Sequence, residues 1–167
     1  MNKLTLVIIF GIISLNGFAQ FPENTYQSTS NKHYWKNRKP YEGYWQQDVH
    51  YTIKASLNDS TNIITGSSTL IYTNNSPDSL PYVYFHLYSN AQAKGSYLSD
   101  LYKNNGKKLK YGKYQEQGFG TNVSQITVNG NALKMEQDNT VLKVYLAQAI
   151  KSGESITFNI EFKTYFD

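Results

Sequence analysis

Cysteine is absent from the 167 residues. That excludes disulfides, a thiolate nucleophile, any cysteine zinc site and the lipidated N-terminal cysteine of a bacterial lipoprotein. Histidine is scarce: His33, His50 and His86 lie far apart, and no His-x-x-x-His or Glu-x-x-His spacing occurs. A catalytic zinc site needs three protein ligands held close, usually with two on one helix turn, so the spacing supplies none. A Gly-rich phosphate loop is missing as well. Charge is nearly balanced, at a net +4, which argues little about partners. What remains is a strand-former's composition, with 15% aromatic residues dominated by 15 tyrosines. The length fits one domain.

The one long apolar run is Leu4 to Leu15, preceded by Lys3 and followed by Gly17-Phe18-Ala19. A positive start, a dozen apolar residues and a small-x-small end read as a Sec-type signal peptide over 1–19, with cleavage after Ala19. The run is short for a permanent membrane span. The mature protein is thus expected to be exported, periplasmic or secreted, and not a lipoprotein. Residues 20–47 read as a flexible aromatic-basic lead-in. Aromatics interleaved with Lys and Arg, as in His33-Tyr34-Trp35-Lys36-Asn37-Arg38, can stack nucleic-acid bases, but an exported chain seldom meets them. Trp35 and Trp45 are expected to pin an extended arm against a sheet, with no nucleic acid as partner.

From residue 48 on, period-two alternation takes over. Val49, Tyr51, Ile53, Ala55 and Leu57 form one face of a strand and His50, Thr52, Lys54 and Ser56 the other. A strand at Ile63–Asn74 carries Gly66, a bulge or close-approach position. Pro81 delays the next strand to Tyr82, after which Val83, Phe85 and Leu87 point to the core. Residues 89–120 lose the pattern and read as a long loop, with a helical turn near Tyr97–Leu101 capped by Ser96 and a solvated cluster at Lys103, Lys107, Lys108, Lys110 and Lys113. Asn129-Gly130 is the strongest hairpin signal. Asp138 to Phe162 then alternates over two long strands, with Leu142, Val144 and Leu146 on one face of the first, joined at Lys151-Ser152-Gly153-Glu154. The fold class is all-β, an antiparallel sandwich or saddle-shaped sheet with a long irregular loop at about 89–120.

No chemistry attaches to these residues. His50 and His86 fall on polar strand faces that neighbouring strands would bring together, but surface histidines are the plainer reading. Glu154, Glu161 and Asp138 sit at turns or on outward faces, so no acid pair and no Ser/His/Asp set can be argued. The expectation is no catalytic, no cofactor-binding and no metal residue in this chain.

Several stretches together resemble one family. Tyr44-Trp45-Gln46-Gln47-Asp48-Val49-His50-Tyr51-Thr52-Ile53 resembles the first strand of the N-terminal domain of the aminopeptidase N family of zinc metallopeptidases. Ile64 to Ser76, with Gly66 ahead of Tyr72-Thr73-Asn74-Asn75-Ser76, is similar to its next strand. Val83-Tyr84-Phe85-His86-Leu87-Tyr88-Ser89-Asn90-Ala91 resembles a later one, and Ile126-Thr127-Val128-Asn129-Gly130 and the Asp138–Phe162 pair follow in the family's order. The resemblance implies a mostly antiparallel β-domain, residues 48–167, preceding a thermolysin-like catalytic domain. It also implies zinc, peptide substrates and a His-Glu-x-x-His helix, all in the full-length protein and none in this chain. The partner it implies is the catalytic domain of the parent metallopeptidase, whose cleft this domain scaffolds and walls. A Gln or Glu that the family's N-terminal domain lends to the substrate pocket would lie beyond Asp167.

Two other readings use the same residues. One is a free-standing exported β-sandwich that binds carbohydrate or cell surfaces through exposed tyrosines and tryptophans; the other is a purely structural envelope protein. The text stops soon after a strand, so the β-domain reads as incomplete at its C-terminus. On that reading Ile156–Phe162 becomes a sticky sheet edge, through which the chain self-associates, and Ile160→Lys relieves it.

Overall fold

A computed structural model describes residues 27–167, so the expected signal peptide at 1–19 and the start of the lead-in lie outside the described residues. The chain divides into two compact units, one ending at Tyr44 and one running from Trp45 to Asp167. In the first, a 3-10 turn at Trp35–Asn37 is held by the Asn37 side-chain amide, which donates to the Ser28 and Asn31 carbonyls at 2.8 and 2.9 Å. Trp35 stays 67% exposed there, edge-on to Tyr34 and under the Lys36 ammonium.

The second unit holds eight strands: β1 (Asp48–Asn58), β2 (Ile63–Thr73), β3 (Leu80–His86), β4 (Thr121–Val128), β5 (Asn131–Ala132), β6 (Met135–Asp138), β7 (Val141–Ile150) and β8 (Ser155–Tyr165). They form a five-stranded sheet, β1-β2-β8-β4-β5, and a three-stranded sheet, β3-β7-β6, with every pairing antiparallel. Neither closes into a barrel. Leu70, Ile126, Phe158 and Ile160 of the wide sheet and Val83, Leu142, Val144 and Ile150 of the narrow one form a single buried core. The Phe85 ring meets Phe158 edge-on at 5.8 Å across it. This is the all-β sandwich the alternation predicts.

Turn chemistry sets the local joints. Asn129 and Gly130 both take positive φ (50° and 78°) and close the β4–β5 hairpin, with Val128 opposite Asn131, as a primed turn requires. Gly66 marks a close approach: the β1–β2–β8 register runs through it without interruption, and the Phe162 ring lies over it. A Cβ there would stand 2.6 Å from Cζ of that ring and 2.9 Å from the Lys54 carbonyl. Pro81 sits at the register shift in β3, an edge strand, where its missing N–H costs no ladder bond.

The two long strands of the Asp138–Phe162 stretch are both present, but they are not a hairpin. β7 pairs with β3 and β6, β8 with β2 and β4, so the Lys151–Glu154 turn carries the chain from one sheet to the other. Alternation cannot distinguish these outcomes, because a strand facing a shared core has the same pattern from either sheet. The expectation of a sticky Ile156–Phe162 edge is overturned for the same reason. β8 is the central strand of the wide sheet, paired with β2 along its length and with β4 over Asn159–Thr164, and Phe158 and Ile160 are buried.

The 89–120 segment is more ordered than a plain loop. A 3-10 turn spans Tyr88–Gln92, and helix α1 spans Tyr97–Asn104. Ser96 caps the helix as expected, its Oγ accepting from the Ser99 N–H at 3.1 Å. The return arm is tied to the strand ends. The Asp167 carboxylate accepts from the Tyr114 and Gln115 N–H groups at 2.7–2.9 Å, and the Tyr114 hydroxyl donates to the Thr61 carbonyl. Lys103, Lys107, Lys108, Lys110 and Lys113 of this segment are exposed.

Candidate functional site

The feature that asks for a partner is an apolar face with no cover among the described residues. The wide sheet has five strands and the narrow one three, so the narrow sheet roofs only part of it. β2, β8 and β4 bury Leu70, Phe158, Ile160 and Ile126 beneath the roof. β1 lies beyond it. Every residue of β1 is exposed, including Val49 (50%), Ile53 (59%) and Leu57 (62%).

Between this strand and the β3 margin runs an apolar groove of about 460 Å³. Val49, Tyr51 and Ile53 form one wall, Phe85 and Leu87 line the other, and Leu70 lies along it. Ser68 also lines it, with a buried Oγ that has no hydrogen-bond partner. A wet apolar channel of this kind is what a docking segment fills, at about 25 cal/mol per Å² of apolar surface covered.

Two buried asparagines fasten the segments around these strands. Asn74, fully buried at the end of β2, donates from Nδ2 to the Asp78 and Ile150 carbonyls at 2.8 and 3.0 Å. Its Oδ1 accepts from the Ser76 N–H, the Ser76 hydroxyl and the Gln47 amide. Its backbone ties into the Gly153–Glu154 turn, so one side chain fastens the β7–β8 crossover, the 74–78 turn and the segment entering β1. Asn90 does similar work below β3: Oδ1 accepts from the Thr121 N–H at 2.6 Å, and Gly120 packs so closely on it that a Cβ would lie 2.4 Å from Oδ1. Both positions belong to the stretches that carry the family resemblance, Tyr72-x-Asn74-x-Ser76 and Asn90-Ala91. Sequence reading singled them out as pattern and missed their work, since an Asn between strands reads equally as a turn residue.

His50 is on β1 in the wide sheet and His86 on β3 in the narrow one, so their strands are not neighbours; His86 stacks on Tyr88 at 5.2 Å. No group of three or more His, Asp or Glu that could hold a metal exists among the described residues. Glu154 accepts from the Lys151 N–H within its turn. Asp138 accepts from the Tyr97 hydroxyl at 2.7 Å, which raises the Tyr97 pKa.

The tyrosines needed by a sugar-binding reading gather on the outer face of the narrow sheet, where Tyr82, Tyr84 and Tyr145 meet edge-on at 5.4 and 6.5 Å. The Lys143 ammonium sits 4.1 Å from the Tyr82 centroid and 4.8 Å from that of Tyr145. Rings set edge to face under a lysine offer no flat stacking platform.

No family model matches the chain, and no curated protein matches it. Solved structures do. One is an M1 zinc metallopeptidase from Deinococcus radiodurans, 15% identical, with 72% of this chain covering 21% of that one at a TM-score of 0.47. Another is a two-domain M1 zinc metallopeptidase mutant bound to L-tryptophan, 16% identical, with 75% of this chain covering 22% of that one at the same TM-score. The chain spans about a fifth of the length of these proteins.

Among the described residues no helix is long and apolar enough to cross a membrane.

Proposed function

We propose that this chain is the N-terminal, non-catalytic β-domain of an exported zinc metallopeptidase, and that it scaffolds the catalytic domain and walls its cleft. The observation that carries the reading is the uncovered β1 face beside β3: a sheet that buries its inner face under three strands leaves a fourth, equally apolar, outside the roof. Support comes also from the sequence resemblance, whose five stretches in order include both buried asparagines that tie the strand ends. Zinc, the peptide substrate and the proton-transfer groups belong to the catalytic domain in this reading. The chain itself contributes surface, not chemistry. Signal peptide 1–19, lead-in 20–47 and β-domain 48–167 are the proposed divisions, with export as the destination.

The test pairs sequence with binding. Coding DNA immediately downstream should encode a His-Glu-x-x-His segment, and the polypeptide it specifies should bind this chain. Val49→Lys, which sets a charge in the groove wall, should weaken that binding at least tenfold and leave the fold intact. An unrelated downstream gene, or binding untouched by the charge, contradicts the reading.

A further inference from the structure

The outer edge of β1 is a second feature, the hydrogen-bonding side of the strand whose inner face walls the groove. β1 is the terminal strand of the wide sheet, and over its 11 residues it pairs, among the described residues, with β2 alone. Alternate N–H and C=O groups along it therefore point away from β2 and meet no strand among the described residues. Exposed edges are ordinarily blunted by proline, a bulge, short length or charged side chains, lysine above all, and β1 carries one lysine, Lys54. β1 has no proline, its register with β2 is unbroken from Asp48 to Asn58, and its inner face carries Val49, Tyr51, Ile53, Ala55 and Leu57.

We propose that β1 pairs antiparallel with β1 of a second copy, about a two-fold axis through Tyr51, joining the two wide sheets into one. The occupant follows from the edge's own charges. Its ionised residues are Asp48 and Lys54, both on the outer face. With Tyr51 opposite its symmetry mate, Asp48 of each copy stands opposite Lys54 of the other, and Val49 opposite Ile53. Both charges are matched and the apolar positions meet apolar ones. Moving the axis to Thr52 puts His50 against Lys54 and Asp48 against Ser56, which loses both ion pairs. A slip that sets even positions against odd ones turns one copy's apolar face to water. Cross-strand pairs of opposite charge and of apolar side chains are what stabilise such a joint, and main-chain bonds supply the rest. Both three-stranded sheets then lie on the same side, and the two apolar grooves meet over the joint.

Because the chain has no cysteine, a single introduced thiol reports the register without ambiguity. Tyr51→Cys places two thiols across the axis, with Cα atoms roughly 4.5–5.5 Å apart, within disulfide reach. Ile53→Cys leaves them about four residues out of step. On mild oxidation of the full chain, Tyr51→Cys should give a covalent dimer at least tenfold faster than Ile53→Cys. In sedimentation, Lys54→Asp should weaken the dimer about tenfold, and adding Asp48→Lys should restore it. Equal cross-linking at both positions, faster cross-linking at 53, or a monomer at several hundred micromolar would each overturn the proposal. So would failure of the charge swap to restore what Lys54→Asp removes.

Discussion

β1 and β8 are the same length and carry the same pattern, 11 residues alternating apolar and polar, yet they have opposite fates. Ile156, Phe158, Ile160 and Phe162 of β8 point inward from the centre of the wide sheet, flanked by β2 and β4, and Phe158 is fully buried. Val49, Tyr51, Ile53 and Leu57 of β1 point to the same side of the same sheet and stay wet. What separates them is position under the roof. The period of a sequence reports which side of a strand is apolar; the number of strands in the facing sheet decides which apolar sides are covered. A sheet wider than its roof therefore advertises a partner surface.

The largest effect should come from emptying the covered strand. Phe158→Ala removes a buried ring that also meets Phe85, and should cost about 3–5 kcal/mol in urea denaturation. Ile53→Ala on the wet strand should cost less than about 1 kcal/mol. Equal losses would erase the contrast. Asn74→Ala comes next. It strands the Asp78 and Ile150 carbonyls and the Ser76 donors, and should destabilise by about 2–3 kcal/mol. A melt unchanged by that substitution would remove the asparagine as the fastener between the sheets.

Gly66→Ala probes the junction of the two strands, since Gly66 lies between Ala55 of β1 and Phe162 of β8. The added methyl meets the Phe162 ring and should cost about 1–3 kcal/mol. Phe162→Leu in the same chain should recover part of the loss, and a thermal melt of the single and double variants checks it.

The smallest effect is electrostatic and lies away from both strands. Glu136 is held below the usual carboxylate range, first by the Tyr145 hydroxyl and then by Lys134. A lowered folded pKa means a stabilisation present above the ordinary glutamate pKa and lost as pH falls through the folded value. Tyr145→Phe should move the Glu136 titration, followed by NMR, back up toward the ordinary range.

Much of this was legible in the residues. The strands from Val49, Ile63 and Val83, the Asn129-Gly130 turn and the Ser96 cap follow from alternation and turn chemistry, and the structure shows each. Two things were not legible. Partner choice was hidden, because β7 and β8 read as a hairpin until the Lys151–Glu154 turn is seen to change sheets. Edge and centre were also exchanged: Ile160, placed by its nearness to the last residue on a strand losing cover, is core, and Ile160→Lys would unfold the chain. A long open edge among the described residues is β1, far from that end in sequence. Sequence order places a strand in time along the chain, not in the sheet.

Residue-resolved amide exchange at low concentration tests the contrast most directly. Protection should run unbroken through Asn159–Thr164 of β8, which β2 and β4 flank on both sides, and should alternate along β1, where every second amide points away from β2. Continuous protection from Asp48 to Asn58 in the dilute monomer, or alternation within Asn159–Thr164, would contradict the account of a covered centre and an open edge.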